Sequence, residues 1–485
     1  PSGDGFAFLF QGGLLLYLLL SYLSFDPNPS TISFNGLLHQ GYRQDVMRCF
    51  FTGCAFLTSI LASPSLRKNG LPVAEFHAVT SLAAAGMMLL VQSNHFLMLF
   101  VSLEMVAVCF YVLVGYHRDS PFSLEAGLKY LVFGAMSSAI LLFGIALLYG
   151  VAGNPSSWGA LASTTPPDTL SFSWLSSFTK AHPDDLVLRA GTAFLLTGLA
   201  FKLGAAPFQA WVPDVFQGAP TAITAYLAVA SKAAGFIVLY NLVTGPLAGL
   251  SDFLIPVLSL MAALTILVGN LGALTQRNVK RLMALSAVAH AGYLMVGIVV
   301  AMHPAVPEHR VFWAIAFYLL TYLLASYGVF GVMSLMPSSD DADQPRSSYA
   351  SLAQIQPFLA FVLAVGLGSL AGIYVISLFI KRFLRWIFEK HRKRFHEKGF
   401  TACPECGRSF SGNPPTWIES IWGIEGNLSP RSLLERLNPL NKIRKLREGL
   451  KYLSGQKHPL ENICRTCGEP NDETLPQEES ENASS

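Results

Sequence analysis

The sequence predicts an all-α polytopic membrane protein with one interrupted helix and a small soluble C-terminal tail. Three observations carry that prediction. The 485-residue chain is 52% apolar and only 13% charged, about half the charge of an ordinary soluble domain. Apolar runs of membrane-spanning length recur along most of it. The stretch Phe194–Ala233 places two lysines, Lys202 and Lys232, in apolar surroundings on either side of a Pro/Gly-broken segment, Gly204–Pro220. A cation costs about 2.5–3.5 kcal/mol at the centre of a membrane helix, so two of them beside a helix break point to ion movement. The net charge of +3 is too small to imply a nucleic-acid partner.

Taken in order, eleven spans are expected, at about 6–24, 46–63, 76–92, 96–116, 124–150, 188–206, 220–243, 253–274, 282–301, 311–336 and 354–380. The chain starts Pro1-Ser2-Gly3, without a Met or a basic n-region. It carries no visible signal peptide and reads as a fragment edge. The apolar stretch 76–116 is split only by Gln92-Ser93-Asn94-His95, which predicts a helical hairpin. Val151–Leu186, rich in Ser, Pro and Thr, reads as a surface loop. One set of alternate loops carries Arg67, Lys68, Arg118, Arg277, Lys280, Arg281 and Arg346; the other carries Arg43, Arg48, Lys180, Arg189 and Arg310. The small excess favours the first set on the cytoplasmic side.

Beyond residue 380 the character changes. Residues 381–399 are basic and aromatic at helical spacing and suit an amphipathic helix on an anionic bilayer surface. Residues 400–470 contain Cys403-Pro-Glu-Cys406 and Cys464-Arg-Thr-Cys467. Four thiolates so arranged suit a structural zinc ribbon, with a dithiol pair or disulfides as alternatives. Residues 471–485 are acidic and Ser-rich and are expected to be disordered. A full span at 354–380 would put this tail opposite the cytoplasmic loops, and a re-entrant one would keep it cytoplasmic; a fusion or frameshift would equally produce the abrupt change. The remaining cysteines, Cys49, Cys54 and Cys109, lie singly in or beside apolar runs and read as core thiols.

Five ionisable residues fall within apolar spans: Glu104, Lys129, Lys202, Lys232 and His290. Burial and a nearby carboxylate pull a lysine pKa in opposite directions, and a lysine between them can be loaded and emptied of a proton. Glu104 is the carboxylate available to a neighbouring lysine. Glu104 and Lys129 also allow a static ion pair between two helices, Lys129 allows snorkelling, and His290 allows either packing or proton transfer. Pro207 breaks the helix after Lys202. Irregular backbone at membrane depth must be buried in protein or line a hydrated cavity, so a water-accessible pocket is expected around Lys202. No haem, flavin, nucleotide or iron–sulfur motif occurs in the spans, so no cofactor is expected in the membrane domain.

EFHAVTSLAAAGMMLLVQSNHFLMLFVSLEMVAVCFYVLVGY and SLEAGLKYLVFGAMSSAILLFGIALLYG strongly resemble subunit N (subunit 2) of the proton-pumping NADH–quinone oxidoreductase, respiratory complex I. FKLGAAPFQAWVPDVFQGAPTAITAYLAVASKAAGF and LTQRNVKRLMALSAVAHAGYLMVGI continue the likeness, which covers about residues 6–373. The resemblance implies an antiporter-like bundle of two inverted helix repeats, each with a broken helix. It implies protons moved across a bacterial inner membrane, coupled to quinone reduced elsewhere in the complex, with the other membrane-arm subunits as partners. By motif match Glu104 is the channel glutamate, Lys129 the bridging lysine, Lys202 the lysine of the first broken helix, Lys232 that of the next helix and His290 the central-axis histidine. Gln209 stands where many family members have His. The family's Pro and Gly-Phe-x-Gly-Lys continuation after Ile373 is replaced by YVISLFIKRFLRW, with Lys381 near the place of the exit lysine. Two other readings remain open at this stage: a cation/proton antiporter subunit, and a membrane anchor with an inactive channel and a zinc-binding tail.

Overall fold

A computed structural model describes residues 3–23, 31–157, 168–304, 306–336 and 341–370. The amphipathic segment 381–399, Lys381, the cysteines Cys403, Cys406, Cys464 and Cys467, and the end 471–485 lie outside the described residues, as does most of 354–380 beyond residue 370.

The described chain is a bundle of helices with one short hairpin. Helix α1 is Gly3–Leu23. The strands β1 (Thr31–Ser33) and β2 (Leu38–Gln40) pair antiparallel, with Thr31 opposite Gln40. Then come α2 (Tyr42–Lys68), α3 (Val73–Gln92), α4 (Phe96–Val114) and α5 (Pro121–Ala152). Helices α6 (Phe172–Ala181), α7 (Leu186–Leu203), α8 (Trp211–Gly218) and α9 (Thr221–Tyr226) follow. A π-helical turn, Leu227–Ser231, joins α9 to α10 (Lys232–Thr244). Helices α11 (Ser251–Leu274), α12 (Val279–Ala301), α13 (Glu308–Leu335), α14 (Leu352–Ile355) and α15 (Pro357–Leu370) complete the described chain. Among the described residues nine helices are long and apolar enough to cross a membrane, and α1 and α15 are apolar but contribute shorter stretches.

Local chemistry sets several boundaries. Asp185 caps α7 by accepting from the Leu188 N–H at 2.8 Å, and Asn278 caps α12 by accepting from Lys280 N at 2.9 Å. Asn94, between α3 and α4, reaches out of the expected helical hairpin to hold the strand turn: its N–H donates to Leu37 O and its Nδ2 to Gly36 O. That contact gives a two-stranded ribbon, marginal on its own, something to pack on.

Two expectations are corrected here. The segment Val151–Leu186 is not wholly a surface loop, because it contains α6. Phe172, Leu175 and Phe178 recur at helical spacing and are buried, and Ser171 caps the helix at Trp174 N. The second correction concerns Lys280, which is not a loop charge. It lies in the first turn of α12 and is fully buried.

The centre of the bundle is Thr221–Thr244, buried over 89% of its apolar window, against 28% for the window that includes α11. Small residues let the surrounding helices close up. A Cβ on Gly198 would meet Leu141 Cβ at 2.5 Å, and one on Gly269 would meet Ala289 N at 2.4 Å. These positions bring α5 against α7 and α11 against α12 at near-backbone distance, the packing used where lipid supplies no hydrophobic drive between helices.

Candidate functional site

The site is organised by the break between α7 and α8. Gly204 ends α7 in the left-handed region at φ 66°, where glycine carries no Cβ penalty. The peptide groups freed by the break find partners on other elements. Trp211 Nε1 donates to Phe201 O at 2.9 Å, and Ala206 N donates to Thr265 Oγ1 on α11 at 3.0 Å. At the far end of α8, Thr224 Oγ1 donates to Phe216 O and Ala219 O, and Lys280 Nζ donates to Ala219 O at 2.8 Å. Asp341 then accepts from both Thr221 N and Thr221 Oγ1 at 2.7 Å, capping α9. The interruption is therefore held by α11, α12 and the segment after α13, as irregular backbone at membrane depth requires.

Lys202, in the last turn of α7, faces Glu104 on α4, with Nζ 3.1 Å from Oε1. Ser138 on α5 donates a hydrogen bond to the same carboxylate oxygen. Neither charge is sealed off: the side chains of Lys202 and Glu104 are 16% and 29% exposed. The attraction of such a pair and the desolvation of its ions are both several kcal/mol, so a small change in surroundings can decide where the proton sits. A cavity of about 50 Å³ lies alongside, lined by Lys202, Tyr111, Tyr130, Ser137, Trp211 and Ser231 among others. It exceeds the roughly 10–15 Å³ needed by one water. Among the described residues the buried Tyr111 hydroxyl on its wall has no hydrogen-bond partner, a polar group suited to such a water. This is the pocket that the helix break led us to expect.

Ser231, on the wall of that cavity, immediately precedes Lys232 at the junction of the π-turn and α10. π-Bulges recur at functional sites, and this one sits beside a lysine only 5% exposed. Lys232 Nζ donates to Ala287 O on α12 at 2.7 Å and stands 5.9 Å from the Phe216 ring centroid. His290 follows Ala287 by one helical turn. Its Nδ1 is hydrogen-bonded to the Tyr318 hydroxyl on α13 and its Nε2 to Leu370 O at 2.9 Å. Glu104, Lys202, Lys232 and His290 thus fall in one succession from α4 through the centre of the bundle to α12 and α13.

Lys129 does not join it. Its Nζ pairs with Glu125 at 2.8 Å and with Asp214 of α8 at 3.0 Å, so the static pair with Glu104 is not formed. Lys129 immediately precedes Tyr130, which lines the cavity, but is not itself in that wall, and its side chain is 38% exposed. Asp214 is shared with Arg281 of α12 at 2.7 Å, and Arg281 also donates to Gln217 at 3.0 Å. The signal for Asp214 was present: it is a carboxylate in an apolar segment, as Glu104 is. It falls between the expected spans 188–206 and 220–243, so it does not stand out as a charge inside a span. The pair Lys280–Asp341, at 2.9 Å, was also missed; it spans 61 residues and has no local pattern. Asp341 lies outside the spans. Burial works against its ionised form, but Lys280 and the Thr221 donors outweigh this and hold its carboxyl below the usual value.

A broken helix carrying a carboxylate-paired lysine, with a buried lysine and histidine on the central helices, marks a membrane protein of antiporter-like architecture. Residues 93–391 match the family described as NADH:quinone oxidoreductase/Mrp antiporter, TM. The chain is 52% identical over 358 residues to "NADH-quinone oxidoreductase subunit N 1" of Opitutus terrae, covering 73% of this chain and 68% of that protein. It is 35% identical over 377 residues to "NADH-quinone oxidoreductase subunit N" of Halorhodospira halophila, covering 77% and 72%. It superposes on a chain of respiratory complex I from Thermus thermophilus with a TM-score of 0.59 at 29% identity, covering 76% and 74%. A chain of the Mrp complex from Dietzia shares the fold at a TM-score of 0.63 and 19% identity, covering 76% and 67%. The chain belongs to the NADH-quinone oxidoreductase subunit N family of multi-pass membrane proteins.

Proposed function

We propose that the chain is a membrane-arm subunit of a proton-translocating NADH–quinone oxidoreductase, and that it carries protons along the succession Glu104, Lys202, Lys232 and His290. The complex is the enzyme; this subunit supplies the proton path and no redox centre of its own, while quinone is reduced elsewhere in the assembly. Its partners are the neighbouring membrane-arm subunits and the lipid bilayer, in a bacterial inner membrane.

The observation that carries this reading is the Lys202–Glu104 pair beside a water-sized cavity whose wall also includes Ser231, the residue before Lys232. When Lys202 is charged, Glu104 and Ser138 hold it. When the proton leaves, Glu104 keeps the Ser138 hydrogen bond and its partial exposure, so neither state strands a bare charge. Lys232, resting on the Ala287 carbonyl, accepts next. His290 then offers Nδ1 toward Tyr318 and Nε2 toward the end of α15. Lys129, with Asp214 and Arg281, is assigned to a bridge that couples α5, α8 and α12 rather than to the path itself.

The test is proton pumping in membrane vesicles that carry Lys202→Ala or Glu104→Ala. The expected result is an assembled complex that still reduces quinone but acidifies the vesicle lumen roughly a hundredfold more slowly, the scale of losing a positioned acid–base group. Wild-type pumping in either variant overturns the assignment.

A further inference from the structure

A second cavity, of about 350 Å³, lies between α12 and α13, away from the Lys202 pocket and seven times its volume. Its walls include Tyr293 and Gly297 of α12 and Arg310, Ala314, Ile315 and Tyr318 of α13. Apart from Arg310 at one end and the two tyrosines at the other, these walls are apolar. Arg310 makes no ion pair among the described residues, and Trp313, half-exposed, stands one turn further along the same helix. An arginine followed by a tryptophan at a helix start is the pattern of a bilayer interface. From Arg310 to Tyr318 is eight residues, or roughly 12 Å of helix, close to the depth of one leaflet in a hydrocarbon core of about 30 Å.

We infer that this groove binds one anionic phospholipid, its headgroup phosphate on Arg310 and one acyl chain laid between α12 and α13 as far as Tyr318. Charge selects the headgroup: a guanidinium at the interface attracts anionic lipid and pairs with phosphate through a planar fork. Gly297 lets α12 close on α13 and seal the back of the groove: a Cβ there would stand 3.3 Å from Ile315 Cγ1. The floor of the groove is Tyr318, which also hydrogen-bonds His290. If the proposed proton path holds, the acyl chain keeps water from leaking into it sideways; the binding itself does not depend on that path.

The experiment is photo-crosslinking of the full chain, in its purified membrane assembly, reconstituted in phosphatidylcholine vesicles. The vesicles contain a trace of phosphatidylglycerol with a diazirine in its acyl chain or, in parallel, phosphatidylcholine labelled in the same way. Peptide mass spectrometry should place the label on Tyr293, Ala314 or Tyr318, about fivefold more from the anionic lipid, the preference expected of one interfacial cation. Arg310→Gln should bring the two lipids level, and Ala314→Trp, at an exposed position, should remove both. Equal labelling by the two lipids in the wild type would make the groove ordinary bilayer contact and overturn the proposal. So would absence of label, or displacement of the label by a long-chain quinone.

Discussion

Lys202 and Lys280 are both lysines buried in a membrane bundle, and each faces a carboxylate, at 3.1 and 2.9 Å. Their surroundings separate them. Lys280 is fully buried, and its ammonium also satisfies the Ala219 carbonyl at the end of α8. Its partner Asp341 is itself committed to the start of α9. Every donor in that cluster closes a gap left by the helix break. Lys202 closes no such gap: the Phe201 carbonyl beside it is taken by Trp211, and a water-sized cavity lies next to the ammonium. Pairing with a carboxylate therefore does not distinguish a strut from a relay. What distinguishes them is whether the backbone depends on the charge and whether a second proton partner is within reach.

The comparison breaks most sharply at Asp341. Asp341→Ala leaves Lys280 buried without its carboxylate and uncaps Thr221, so a loss of about 3–5 kcal/mol is expected. It should be read as a lower thermal unfolding temperature in detergent and less assembled protein. The double variant Asp341→Ala/Lys280→Met should recover part of that loss. An Asp341→Ala protein as stable as wild type would erase the distinction between the two lysines.

Exchanging only the lysines sharpens it next. Lys202→Met should cost pumping about as Lys202→Ala does, with little change in unfolding temperature, because Glu104 keeps Ser138 and partial solvation. Lys280→Met should do the reverse: a cost of about 1–3 kcal/mol for the hydrogen bonds that Asp341 and the Ala219 carbonyl lose, with quinone-coupled pumping intact in whatever protein assembles. Parallel losses in both assays for both variants would deny that the roles are separate.

Acid should expose the strut through Asp341. Its folded carboxyl lies below the ordinary value of about 3.9, so its contribution is complete above that value and is lost as pH falls through the still lower folded value. Thermal unfolding of wild type and Asp341→Asn should differ most above about pH 4 and converge in more acidic buffer. A gap that widens on acidification would reverse the sign and refute it. The smallest effect belongs to the bridge: Lys129→Ala should change stability by no more than about 1 kcal/mol, as for half-exposed ion pairs. A larger fall in unfolding temperature would make Lys129 a buried strut like Lys280.

Much of this was legible in the chain. Charges inside apolar runs marked Glu104, Lys202, Lys232 and His290, since nothing but a site or a partner justifies their cost in a bilayer. Pro207 with Gly204 marked the break, and Gln92 to His95 marked the turn between α3 and α4. Composition and hydropathy fix these features because the bilayer is the same solvent at every span, so length and polarity translate directly into helices. Partners are a different matter. That Lys129 chooses Asp214 over Glu104, that Lys280 is buried against Asp341, and that α6 packs beneath what looks like a loop all depend on elements dozens of residues apart. Gly218 lets α8 close on α5, and Gly249 lets the chain before α11 close on α6, each to backbone contact. Sequence determined which groups had to be reconciled with the membrane; tertiary packing alone decided with which partner each was reconciled, because a charge in a low-dielectric interior answers to whatever lies within a few ångströms.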